Sequence, residues 1–152
     1  MSKVFGVGLN KTGTTSLGAC LRALGYRHVS ARRDLFKAWL AGDREAVWTV
    51  VDAHDGFEDW PWPVMYRELA ERHPDARFVL TVRESPEKWL ESLKRHALFM
   101  HPVKHCRKMA YGWRYPHYAE AEHLALYRRH NAEVTAFFAE RGESDRLIEL
   151  CW

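Results

Sequence analysis

Cysteine is scarce in this chain, charges of the two signs nearly balance, and long apolar runs are missing. The three cysteines, Cys20, Cys106 and Cys151, have neither disulfide nor metal-ligand spacing, so reduced thiols are expected. No apolar stretch approaches the roughly 20 residues that span a bilayer, and a predicted strand begins almost at once, which argues against a secretory signal. These absences predict a cytoplasmic protein with no membrane span.

The net charge of +3 is too small to indicate nucleic-acid binding, but the basic residues are unevenly distributed. Residues 94–114 carry a cluster of Lys, Arg and His that suits an anionic ligand or forms a solvated helical face, and both interpretations stay open. Aromatic residues do not alternate with the basic ones as in RNA-binding motifs, so no nucleic-acid partner is predicted. His101 and His105 form a lone i, i+4 pair, which is weak evidence for a metal ion, and no metal site is predicted.

Residues 4–17 have the pattern of a strand, a phosphate-binding loop and a helix. Gly8 and Gly13 have the G-x-x-x-x-G spacing of a P-loop, and the Thr-Thr-Ser after Gly13 would open a helix with unpaired amides. Such amides and the positive end of the helix dipole attract an anion. Nucleotide hydrolases place Lys and Ser/Thr directly after the second Gly, whereas here Lys11 lies inside the loop. The loop therefore predicts phosphate binding without the hydrolase arrangement.

Residues 11–17, KTGTTSL, closely resemble the 5′-phosphosulfate-binding loop of sulfotransferases that use 3′-phosphoadenosine 5′-phosphosulfate (PAPS). A second segment supports this resemblance, because residues 77–83 are predicted as a buried strand ending at Arg83, and Ser92 follows on the next predicted helix. Arg, Pro, an aromatic residue and Ser in this order resemble the family's 3′-phosphate signature, with Arg and Ser one residue further apart than in its commonest version. The resemblance spans residues 1 to about 95.

The resemblance implies a role for each matching residue. Lys11 would neutralise charge on the bridging oxygen of the leaving phosphate. The 5′-phosphate would be held by the backbone amides of Thr12, Gly13, Thr14, Thr15 and Ser16. The side-chain hydroxyls of Thr14, Thr15 and Ser16 would add to this binding. Arg83, with its planar fork of donors, would bind the 3′-phosphate together with Ser92. An ion pair with a neighbouring glutamate is the simpler alternative for Arg83.

A general base must take the acceptor's proton, and the resemblance places it in the segment before the 3′-phosphate strand. Cytosolic sulfotransferases carry His two residues before Pro there, and Asp59 holds the matching position in Asp59-Trp60-Pro61. Asp59 is therefore the predicted base, with Asp55 and His54 in the same loop as competitors. Turn formation is the structural alternative for all three. The aromatic residues beside them would line an acceptor pocket or cap the core beneath the loop.

Strands that alternate with helices predict the α/β class and a three-layer P-loop-like fold, a small parallel sheet with helices on both faces. Helices are predicted over residues 14–24, 34–40, 43–51, 64–72, 86–96 and 118–141, strands near 4–7, 77–83 and 146–151, and a loop over 52–63. A length of 152 residues fits one sulfotransferase-like domain. Because related sulfotransferases continue beyond the last predicted strand, residues 1–152 are expected to form a minimal domain or one with an incomplete C-terminal part.

We therefore interpret the sequence as that of a PAPS-dependent sulfotransferase that sulfonates a hydroxyl or amine of a small-molecule or glycan acceptor and releases 3′-phosphoadenosine 5′-phosphate. A non-catalytic or fragmentary nucleotide-binding domain stays open as an alternative. A P-loop kinase is disfavoured because it needs Lys-Ser/Thr after the second Gly and an acidic strand end for magnesium, where this chain has Arg83. The motifs specify neither the acceptor nor the oligomeric state.

Overall fold

The computed structural model describes residues 2–101 and 103–152, and a five-stranded sheet forms its centre. The strands are β1 (Val4–Gly6), β2 (His28–Val29), β3 (Gly56–Phe57), β4 (Arg77–Val82) and β5 (Leu147–Cys151). Their order across the sheet is β2-β3-β1-β4-β5, and each neighbouring pair is parallel. Parallel neighbours need long crossovers, here helical, so the sheet confirms the predicted α/β class and three-layer arrangement.

Helices connect and cover the strands. They are α1 (Thr14–Ala23), α2 (Arg33–Leu40), α3 (Arg44–Ala53), α4 (Tyr66–Arg72), α5 (Pro86–Phe99), α6 (Arg107–Tyr111) and α7 (Glu120–Glu140). Two helix starts follow from local sequence, because the Asp43 carboxylate accepts from the Ala46 amide at 3.2 Å and the Ser85 hydroxyl accepts from the Lys88 amide at 3.2 Å. Among the described residues, no helix is both long enough and apolar enough to cross a bilayer.

Three elements are not predicted from the sequence patterns: the strands β2 and β3 and the helix α6. Each of these two strands has two residues, too few for an alternating pattern to be visible. They are strands because the sheet pairs them, with Gly56 opposite both Val4 and His28. The loop predicted over residues 52–63 is therefore wrong at positions 56 and 57.

Helices cover both faces of the sheet. On one face the rings of Phe57 and Phe78 stack on Phe5 at centroid distances of 4.7 and 5.5 Å, and residues of α3, α4 and α7 complete this core. Side chains alternate along β4, so Val79 points to the other face and packs with Leu17 of α1. A further cluster around Trp89 joins α2, α5, α6 and α7. Since burial of one such aromatic side chain stabilises by about 1.5–3 kcal/mol, these clusters hold the loops above the sheet.

The carboxyl ends of β1, β3 and β4 lie at one edge of the sheet, because the three strands are adjacent and parallel. The chain leaves β1 into loop residues 7–13, leaves β3 at Glu58 and Asp59, and leaves β4 at Arg83. Open α/β sheets bind their ligands at this edge. The topology therefore brings the phosphate loop, one predicted base and the predicted 3′-phosphate ligand together.

Candidate active site

The loop between β1 and α1 is held against β4 by close backbone packing and by hydroxyl contacts. A Cβ at Gly8 would lie 2.2 Å from Thr81 Oγ1 and 2.3 Å from the Thr81 carbonyl oxygen, so glycine is needed there. The Thr12 hydroxyl donates to the Leu9 carbonyl at 2.6 Å, and the Thr81 hydroxyl, also at 2.6 Å, therefore donates to Thr12. Both threonines are buried, and their satisfied hydroxyls fix the loop in place.

The start of α1 offers backbone amides to an anion. Lys11 and Gly13 have positive φ values of 71° and 99°, which turn the chain into the helix. The first helical hydrogen bond runs from the Leu17 amide to the Gly13 carbonyl at 3.0 Å, so the amides of residues 14–16 have no helical acceptor. The first turn contains no acidic side chain and no side-chain cap that would compete for these amides. This end of α1 fits a phosphate group.

A pocket of about 390 Å³ opens beside these amides. Lys11, Gly13, Thr14 and Thr15 line it, as the sequence predicts for donor-binding residues. Thr12 is instead buried beneath the loop, where its hydroxyl serves the loop itself, and Ser16 is exposed outside the pocket lining. Any contribution of these two residues to an anion is thus through the backbone rather than through a hydroxyl in the pocket.

Asn10, which the sequence analysis does not single out, anchors the loop from the other side. Its carbonyl accepts from the Trp89 indole at 2.9 Å, and its side-chain oxygen accepts from the Tyr111 hydroxyl. All three residues are buried. The loop is therefore fixed between β4 and the aromatic cluster of α5 and α6, and its position depends on contacts far away in sequence.

Arg83 connects the loop to a second groove. Its Nε donates to the Lys11 carbonyl at 2.9 Å, and its backbone amide donates to the Tyr127 hydroxyl at 2.9 Å. Arg83 lines both the main pocket and a neighbouring groove of about 230 Å³ that also contains Ser92 and Arg95. Arg83 forms no ion pair with Glu84 or Glu87, which bind Lys88 and Arg128 instead. The structure thus brings Arg83 and Ser92 to one groove despite their unusual spacing.

Asp59 lies in the main pocket and has a strongly perturbed environment. Its φ of 64° is left-handed, and its carboxylate accepts from the Trp60 amide at 2.8 Å. Burial raises the pKa of Asp59 to about 6, although the Trp60 amide, the Lys11 charge and the Thr14 hydroxyl oppose that rise. A partly buried carboxylate with this pKa, beside a lysine and unpaired amides, can take a proton near neutral pH.

Asp55 and His54, the two competing candidates, do not lie in this pocket. Asp55 precedes β3 whereas Asp59 follows it, so the two carboxylates lie at opposite ends of the strand. Arg27 holds the Asp55 carboxylate through two hydrogen bonds of 2.7 and 2.9 Å and lowers its pKa. The His54 ring bonds the Val50 carbonyl at 2.8 Å at the end of α3. The structure therefore places Asp55 outside the pocket, at the other end of a two-residue strand, and Asp59 stays the candidate base.

Glu58 is a buried carboxylate that the sequence analysis missed. It is 2% exposed, directly precedes Asp59, and turns toward α1. Burial raises the pKa of Glu58 to about 7, a rise that the Ser30 and Thr14 hydroxyls oppose and the Asp59 charge supports. Glu58 Oε1 lies 3.2 Å from His28 Nε2, but burial lowers the pKa of His28, so this contact is not an ion pair at neutral pH. The only local sequence signal for this burial was a glutamate directly after Phe57.

The aromatic residues near Asp59 divide between the pocket and the core. Trp60 lines the pocket and stacks on Phe36 at a centroid distance of 5.3 Å. Phe57 and Trp62 pack against each other at 4.8 Å inside the main core. Trp60 is therefore the aromatic residue of this segment that lines the pocket. Phe57 and Trp62 instead pack in the core beneath the loop, which was the alternative expectation for them.

The basic segment 94–114 also divides. His96, Lys104 and His105 line the main pocket, whereas Lys94 pairs with Glu120 and Arg107 is buried with its guanidinium bonded to backbone carbonyls. Burial, helped by nearby positive charges, lowers the pKa of His105 to about 4. Across residues 2–101 and 103–152, no three potential His, Cys, Asp or Glu ligands form a metal-binding group.

Comparison with known proteins defines the family. A sequence profile of the sulfotransferase domain matches residues 3–151, so the chain belongs to the sulfotransferase domain family, as the loop and the Arg83 strand indicate. The chain is also similar to Ava biosynthesis cluster protein M from Aspergillus versicolor, with 29% identity over 109 residues. That similarity covers 60% of this chain and 42% of the fungal protein. The match therefore spans less than half the length of this curated relative.

Proposed function

We propose that this chain transfers a sulfonate group from PAPS to a hydroxyl or amine acceptor bound beside Lys11. One observation carries the proposal: the unpaired amides of α1, the Lys11 side chain and the Asp59 carboxylate surround a single pocket. Sulfonate transfer in general is supported by membership of the sulfotransferase domain family.

PAPS is proposed as the sulfonate donor because Arg83 lines two neighbouring spaces that could each hold one of its phosphates, the main pocket and the groove with Ser92. When bound, PAPS supplies an activated sulfonate on its 5′-phosphate. The amides of residues 14–16 would hold that phosphate, and Lys11 would place positive charge where the bridging oxygen becomes an anion. Arg83 and Ser92 would hold the 3′-phosphate in their common groove. Because Arg83 also donates to the Lys11 carbonyl, it would orient the loop and the 3′-phosphate relative to each other.

Asp59 is proposed as the base that accepts the acceptor's proton. With a pKa of about 6, it is mostly ionised at pH 7 yet more basic than an ordinary carboxylate. Lys11 and Asp59 would then act on the leaving oxygen and on the attacking atom respectively, as in-line transfer requires. Trp60 would provide an apolar wall for the acceptor.

Nucleotide binding and turnover together test the proposal. In a thermal-shift experiment, 3′-phosphoadenosine 5′-phosphate should raise the melting temperature more than adenosine 5′-phosphate or ATP with magnesium, since ligand at 100 times Kd stabilises by about 2.7 kcal/mol. Labelled PAPS and a panel of phenols, alcohols, amines and sugars then report transfer. Stabilisation by ATP with magnesium alone contradicts the donor assignment. Nucleotide binding without transfer to any acceptor favours a non-catalytic nucleotide-binding domain.

A further inference from the structure

A groove of about 370 Å³ adjoins the main pocket beside α2 and α6. Arg33 and His105 line both spaces, so the two are neighbours. We call this space the basic groove, and its remaining lining residues are Val103, Lys108, Met109 and Arg114. It has no lining residue in common with the groove of Arg83 and Ser92. The main pocket therefore has a neighbouring groove on each of two sides, and the proposed donor accounts for one of these grooves.

Among the described residues, the cations of the basic groove have no acidic partners. No carboxylate there pairs with Arg33, Lys108 or Arg114, whereas twelve ion pairs hold Arg and Lys side chains elsewhere. Arg33 donates one bond to the Val103 carbonyl at 3.0 Å, and its Nε is buried without an acceptor. His105 is neutral at pH 7, since its pKa is lowered to about 4. The groove thus concentrates positive charge that the protein itself leaves unbalanced.

Both spaces also offer apolar side chains to a ligand, beside Lys104, His96 and the cations. Trp60, Met100 and Cys106 line the main pocket, and Val103 and Met109 continue the apolar surface into the basic groove. A ligand that extends from Asp59 into this groove would therefore find apolar side chains to pack against and cations at its far end. Small-molecule sites commonly combine apolar walls with a few charged groups that fix orientation.

We infer that the acceptor is a hydroxylated small molecule with a flat apolar body and a carboxylate, its hydroxyl at Asp59 and its carboxylate in the basic groove. This inference rests on the proposed function. In the transfer, an S–O bond forms to the acceptor oxygen while the S–O bond to the donor phosphate breaks, the electron pair stays on the phosphate, and Asp59 takes the hydroxyl proton. The cations would also hold the product, which carries the carboxylate and one new negative charge.

Binding of para-coumarate, compared with its uncharged methyl ester, tests the inference without any need for turnover. Titration calorimetry is done on protein with and without saturating 3′-phosphoadenosine 5′-phosphate. The nucleotide occupies the loop before α1, so carboxylate binding that is lost in its presence is binding to that loop and not to the basic groove. Para-coumarate should bind the nucleotide-loaded protein about 10-fold or more tightly than the ester, as expected for charge-assisted hydrogen bonds. The preference should shrink as ionic strength rises, since the groove is open to solvent.

The double variant Lys108→Gln/Arg114→Gln should remove this preference, whereas Lys37→Gln, which deletes an exposed charge from α2, should retain it. Equal binding of acid and ester by the wild-type protein, or a preference that survives in the double variant, overturns the inference. Tight carboxylate binding without sulfonate transfer supports the groove assignment and counts against the proposed function. Transfer to neutral phenols with no carboxylate preference supports the function and overturns the assignment.

Discussion

Replacement of Asp59 by Asn tests the proposed base and its environment together. Asn keeps the side-chain oxygen that accepts from the Trp60 amide at 2.8 Å, and it tolerates the φ of 64°. It cannot accept the acceptor's proton. Turnover should therefore fall by roughly 100-fold or more, while nucleotide binding is retained. Wild-type turnover should rise with pH through about 6 and then level off, because the base must be ionised.

The same variant should be more stable than the wild-type protein at neutral pH. Because burial raises the pKa of Asp59 from 3.8 to about 6, its favourable contribution is complete below pH 4 and is lost as pH rises through 6. Above that pH the ionised carboxylate costs at most about 3 kcal/mol, a penalty that Asn avoids. For a domain of this size each kcal/mol corresponds to about 2 to 4 °C, and calorimetric melting at pH 7 and pH 4 measures the difference.

Asp55→Asn is the matched control, because it makes the same chemical change four residues away. Asp55 is ion-paired with Arg27 and has a lowered pKa, so this variant should lose some stability at pH 7 and keep its turnover. The two variants should thus shift the melting temperature in opposite directions. Full activity of Asp59→Asn, or inactivity of Asp55→Asn, refutes the base assignment. A lower melting temperature for Asp59→Asn at pH 7 refutes the argument from burial.

Three further substitutions test the donor site. Lys11→Ala should lower turnover on the order of 100-fold and nucleotide affinity much less, because its charge is needed mainly in the transition state. Single-turnover kinetics and nucleotide-binding measurements test this. Weakened binding with normal turnover would make Lys11 a docking residue. Arg83→Ala should abolish the preference for 3′-phosphorylated nucleotide, about 1.5 to 3 kcal/mol in a calorimetric comparison, and an unchanged preference contradicts the assignment. Gly8→Ala should displace the loop from β4 and reduce both stability and nucleotide binding, because its Cβ would lie 2.3 Å from the Thr81 carbonyl oxygen; normal melting and binding would contradict this packing argument.

The loop between β1 and α1 and the strand before Arg83 could be predicted because their patterns are local. The proposed anion site is built from backbone amides of consecutive residues, so the glycine spacing and the Thr-Thr-Ser after Gly13 are visible in one stretch of chain. The buried strand Arg77–Val82 is long enough for its apolar run to be recognised, and Arg83 follows directly. The α/β class follows from the same alternation of strands and helices.

Which of Asp55 and Asp59 lies in the pocket was decided by the tertiary structure. The two-residue strand Gly56–Phe57 has no pattern of its own and exists because the sheet pairs it, yet it places one carboxylate in the pocket and the other at the far end of the sheet. Burial of Glu58 is likewise a property of the packed fold, and so is the perturbed pKa of Asp59. The basic groove joins Arg33 to Arg114, which are 81 positions apart in the chain. Sequence thus specified the elements whose patterns lie in contiguous residues, whereas distances between separate segments, and the burial of their side chains, arise only when the chain packs.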